Sequence, residues 1–239
     1  MSNYKKIPNK KIYTGENLIV ENSKNEPFVD LLNYKNIFCF DTEYYERYYK
    51  YLIQHLYVRE SVFDKLIEVS KYLPDRHKLL IIDAWRPCSL QQLMFDRCYQ
   101  KISREKNISH EGQLIVLTKE FVSSPTFNEK QSFPHATGGS IDVSIVDNFG
   151  NKLNMGTDYN FYSSISETNY YESLFRNKEI RENRRLLYDI MTSVGFTNVP
   201  NKWWHYDYGN SNWAYYSKKE PFYLGVFEQA KIEEIKKNI

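Results

Sequence analysis

The residues best able to do chemistry fall in three short segments. In His135-Ala-Thr-Gly-Gly-Ser-Ile-Asp142 an imidazole sits in a glycine-containing loop, and a carboxylate follows seven residues later. Gly138 and Gly139 allow that loop to fold back tightly, which brings the imidazole over the strand face carrying Asp142. The second segment is Trp203-Trp204-His205-Tyr206-Asp207, with His205 lying 63 residues beyond Asp142. Two histidines and one carboxylate with an open fourth position make a catalytic zinc site. The same residues also read as a packed, hydrogen-bonded histidine and an aspartate at a strand edge, and spacing alone does not choose between these readings. The third segment is Asp83-Ala84-Trp85-Arg86-Pro87. An arginine at a strand end can enter a cleft and hold a carboxylate or oxyanion in a two-pronged grip. It can equally be a structural residue paired with Asp83.

These side chains need elements to position them. Leu79–Ile82 is a short apolar run that predicts a buried strand leading into Arg86, stopped by Pro87. Residues 141–146 alternate, with Ile141, Val143 and Ile145 on one face and Asp142, Ser144 and Val146 on the other. The turn-like Asp147–Asn151 predicts a hairpin after them. Helical spacing of Val58, Val62, Phe63, Leu66, Ile67 and Leu73 predicts a helix over 56–73, ended by Pro74. Ser89 is placed to cap a second helix running to about Arg104. The clearest helix covers 178–194, with Gly195 placed to end it. Phe196–Val199 and Trp203–Tyr208 read as the last strands, and residues 28–40 as strand and loop near a core. Helices mixed with hairpins predict an α+β fold, and length predicts one domain over 1–239, with a mixed or antiparallel central sheet and helices on its flanks. Residues 1–27 are polar and irregular and are expected to wrap the surface or supply an edge strand.

Composition narrows the function classes. Among 239 residues, 32 Lys+Arg face 30 Asp+Glu, a net charge of +2. That leaves no concentrated basic field for a nucleic acid or a membrane surface. No apolar stretch is long enough for a transmembrane helix, and the N-terminus lacks the apolar core of a signal peptide. Cys39, Cys88 and Cys98 form no CxxC pair, so free thiols in a reducing, cytoplasmic compartment are expected. Aromatics reach 16%, with 21 Tyr. Compositional bias accounts for most of them, but Tyr also suits the wall of a wet pocket. A metal-free interaction module would use the aromatic C-terminal part (Tyr206, Tyr208, Trp213, Tyr215, Tyr216, Phe222, Tyr223) as a protein-binding face.

Taken together, the segments resemble the D-alanyl-D-alanine dipeptidase family, zinc enzymes related to D-Ala-D-Ala carboxypeptidases and hedgehog-like zinc peptidases. The likeness starts at Phe28-Val29-Asp30-Leu31 and passes through Asp83–Pro87, His135…Asp142, Asn154-Met155-Gly156-Thr157 and Asn183–Tyr188. It ends in Gly195-Phe196-Thr197 and Trp203–Gly209. The resemblance implies that His135, Asp142 and His205 bind Zn²⁺ and that Arg86 stabilises the transition state. It implies a small peptide or amino-acid-derived substrate in a closed pocket, with Trp85, Trp203, Trp204 and Tyr206 walling the cleft.

Two departures stand out. The family has Glu three residues before the last histidine, as the general base that activates water and carries the proton to the leaving amine. Here that position is Lys202. The family's substrate-holding Ser, two residues before the first histidine, is Phe133. Three readings of Lys202 are open. The protein can be an impaired relative that keeps zinc and binds a ligand, because losing a general base costs about 10²–10⁴-fold in rate. Lys202 can take part in changed chemistry as a base, nucleophile or zinc ligand once burial and a nearby dication lower its pKa. Or another carboxylate, Asp207 or Glu167, can supply the base.

Overall fold

The computed structural model describes residues 4–13, 17–41, 55–159, 163–173 and 175–237. Residues 1–3 and 14–16 of the N-terminal segment lie outside these. The fold is α+β. A five-stranded sheet has the order β2-β4-β5-β7-β6, with β2 at Cys39–Phe40, β4 at Lys78–Asp83, β5 at Ser140–Val146, β6 at Thr197–Asn198 and β7 at His205–Asp207. Only β2 and β4 run parallel; the other three pairings are antiparallel. A separate two-stranded sheet pairs β1 (Phe28–Asp30) with β3 (Tyr57–Arg59).

Among the described residues the helices are α1 (Glu60–Tyr72), α2 (Cys88–Lys106), α3 (Glu111–Phe121), α4 (Lys178–Ser193), α5 (Ser211–Ser217) and α6 (Gln229–Lys237). The 56–73 prediction splits in two: Val58 lies in β3, and the helix starts at Glu60. Val58 fits the helical stripe by number, yet its backbone pairs with Val29. Ser89 does not cap α2. Pro87, with its ring-fixed φ of −70°, takes the cap position, and Ser89 falls inside the first turn. The helix continues to Lys106 and stops where Asn107 turns left-handed. The last helix of the reading stands almost as expected, ending at Ser193 with Gly195 at φ +95°. The predicted hairpin closes on a single bridge between Val146 and Lys152.

Every residue of β5 is buried, on both faces. Ile141, Val143 and Ile145 enter the main core with Leu79, Ile81 and Leu187, while the opposite face carries Asp142 and Ser144. A polar strand face is buried here because it lines a site rather than meeting water. The aromatic C-terminal part is no open docking face, since Tyr206, Trp213 and Tyr223 belong to the interior. Described residues before β1 bond to the rest of the fold: Ile7 N–H donates to Glu172, Val20 N–H to the Lys130 carbonyl and Lys24 N–H to the Phe222 carbonyl. Among the described residues no helix is long and apolar enough to cross a membrane.

Candidate metal centre

The positions of the two imidazoles follow from local chain geometry. Pro134–Thr137 form a short 3-10 turn that Gly138 ends at φ +71°. Gly139 then passes so close to the next strand that a Cβ there would sit 2.3 Å from the Tyr208 carbonyl oxygen. This double constraint folds His135 back over the start of β5. On β7, His205 is the register partner of Asp142 on β5. Alternation puts Asp207 on the His205 face and Tyr206 on the other.

The result is a compact cluster. One ligand atom from each of His135, Asp142 and His205 lies within 4.8 Å of the others, and all three residues are buried. His135 Nε2 is 3.6 Å from Asp142 Oδ1, and His205 Nδ1 is 2.7 Å from the same oxygen. The outer nitrogen of each ring is already engaged: His135 Nδ1 with the Ala84 carbonyl at 2.6 Å, His205 Nε2 with Asp207 at 3.0 Å. Asp207 is fixed in turn by Ser140 and Asn210. Such outer contacts set ring orientation and tautomer in metal sites. They leave His135 Nε2, His205 Nδ1 and Asp142 facing one point, which fits a three-ligand zinc site.

Electrostatics agree with the geometry. Burial alone would raise the Asp142 carboxyl, but the two imidazoles outweigh it and hold it far below the usual range. Burial would lower His205, yet Asp207 and Asp142 push it up to about 9. In the chain without metal, His205 therefore carries a proton where a cation would bind.

Arg86 lines the same cavity. Its Nη2 and Nε donate to Asp83 at 2.5 and 3.2 Å, and its Nη1 to Gln91 at 2.6 Å. Gln91 is itself tied to the Ser123 carbonyl. The Asp83 pair of the structural reading is present, and the side chain it holds also lines the cavity. Lys202, Phe133 and Trp204 also line the cavity, roofed by Met94, Phe121 and Val122. Trp85 and Tyr206 do not: Trp85 is buried with Nε1 bound to the Val226 carbonyl, and Tyr206 points into the core. Trp203 walls a separate cavity with Ser144 and Lys152–Tyr159.

Of the two candidate substitute bases, Asp207 is spent behind His205 and Glu167 is not among the cavity's lining residues. The sequence reading missed Gln91, which lies five residues past Arg86 across a strand-to-helix turn and carries no periodic signal. It offered Asp207 as a substitute base; the carboxylate lies against the outer nitrogen of His205, on the face where alternation places it.

An α+β fold with a buried, pre-oriented His-Asp-His cluster beside an arginine defines a candidate metal-dependent hydrolase site. The comparisons narrow this class. The D-ala-D-ala dipeptidase family profile matches residues 67–222, and the chain belongs to that family. A D-alanyl-D-alanine dipeptidase of Synechocystis sp. is 29% identical over 199 residues, covering 74% of this chain and 79% of the relative. Dipeptidases of the same name from Escherichia coli and Enterococcus faecalis are 27% and 26% identical; the matches span 54% and 60% of their lengths.

Proposed function

We propose that this chain is a zinc-binding D-Ala-D-Ala dipeptidase relative in which ordinary peptide hydrolysis is weak and the chemistry or the substrate has changed. His135 Nε2, Asp142 and His205 Nδ1 hold the metal. Bound there, zinc would lower the pKa of water and polarise a scissile carbonyl. Arg86, aimed by Asp83 and Gln91, faces the oxyanion that develops on that carbonyl. The observation that carries the reading is Lys202: it lines the cavity where the family's general base is expected, and neither substitute carboxylate reaches it. As an ammonium it cannot take a proton from water.

A non-catalytic, ligand-binding zinc protein is the second reading, favoured by the same missing base. In either case the ligand is a small peptide or amino-acid-derived molecule.

Two measurements test this. Purified protein should carry zinc near one per chain, and His135→Ala should lose it with the fold intact. Lys202→Glu should raise D-Ala-D-Ala hydrolysis about 10²–10⁴-fold. A wild-type chain that already hydrolyses the dipeptide at ordinary enzymatic rates would sink the proposal. If neither protein acts on dipeptides, the substrate has changed, and Phe133, fully buried against Cys88, Ala136 and Phe227, becomes the next position to alter.

A further inference from the structure

Lys202 is conspicuous for what surrounds it. Among the described residues it forms no ion pair, although it shares a cavity with Asp142, Arg86 and both imidazoles. Asp83 balances Arg86, Asp142 faces the imidazoles and Asp207 backs His205. With a divalent metal in place and Lys202 as an ammonium, the charges of Asp83, Arg86, Asp142, Lys202 and Asp207 leave one positive charge in excess. A Glu at 202 would leave one negative charge instead. An uncompensated charge in a poorly hydrated site is costly, and a mobile counter-ion removes the cost.

The geometry points to a binding site for a small carboxylate, held by its oxygens between Lys202 and the metal with Arg86 alongside. This rests on the zinc reading above and names the ligand class for the same cavity. The space limits the ligand to a small headgroup at the cavity mouth: about 30 Å³ is open, about one water's share of liquid volume, and the metal must fit there too. The walls support one end of the ligand being apolar, since Met94, Phe121, Val122, Phe133 and Trp204 surround the polar groups. Burial and the neighbouring Arg86 lower the Lys202 pKa, opposed by Asp142. A bound carboxylate would oppose it further and favour the ammonium.

The test uses full-length protein loaded with Co²⁺ as a paramagnetic stand-in for zinc and [1-¹³C]acetate as the probe. Metal content is measured first. Saturable enhancement of acetate ¹³C relaxation is expected in wild type. Lys202→Met should weaken acetate binding about 10–100-fold, the worth of a hydrogen bond to a charged group. Lys202→Arg should retain most of it, which separates lost charge from lost fold. Metal-loaded wild type showing no enhancement, or wild type and Lys202→Met binding acetate equally, overturns the carboxylate site alone. Wild type that takes up no metal overturns the zinc reading, and this inference with it.

Discussion

In the metal-free chain His205 lies between Asp142 and Asp207, protonated up to a pH of about 9. A metal must displace that proton from Nδ1. At pH 6, zinc binding should therefore release at least the His205 proton, and apparent affinity should rise with pH until the pH nears 9. Calorimetry in buffers of different ionisation enthalpy counts the protons. A count near zero would mean that His205 is neutral before metal arrives. The residues of this site were legible because each belongs to a short dense segment. The aim of Arg86 was not, because Gln91 reaches it across a strand-to-helix turn and is itself fixed by the distant Ser123 carbonyl.

At the scale of elements, two strands and one tight loop hold the ligands. Gly139→Ala forces a Cβ against backbone, where nothing flexible can yield. It should cost more than about 2 kcal/mol in denaturant unfolding and should weaken zinc binding, because the β5–β7 register carries the Asp142–His205 pair. Gly150→Ala is the contrast. That glycine also has a positive φ, +86°, but a Cβ there meets nothing within 4 Å. It should cost about 1 kcal/mol and leave the metal in place. Strong periodicity made α4 and β5 readable, and a continuous apolar run did the same for β4. The three unpredicted helices gave weaker signals: α3 buries only Leu114 and Thr118, α5 has seven residues, and α6 is mostly charged. Val58 shows the opposite hazard, an apolar residue at helical spacing claimed by a strand partner.

Across the whole molecule, pH and metal are linked through the same proton. The His205 pKa is raised above its ordinary 6.5, so its contribution to the metal-free fold is complete below about pH 6.5. That contribution fades as pH rises through about 9. The metal-loaded fold has no such proton to lose, and mass action strengthens its stabilisation as affinity grows. At fixed free zinc, the Tm difference between loaded and stripped protein should be larger at pH 9 than at pH 6.5. Differential scanning calorimetry at both values checks this, and a difference that shrinks with pH would contradict the assignment of His205.

The pairing of Asp142 with His205 also bears on when the metal can arrive. The two residues are 63 apart in sequence and become neighbours only after β7 docks on β5. Closing such a long loop is a non-local step, slower than forming any one helix. A chain emerging from the ribosome would expose His135 and Asp142 well before His205 completes the ligand set. Metal capture should then mark the end of folding rather than guide its beginning. Zinc supplied at the start of refolding would speed nothing, and its uptake would report the last strand falling into place.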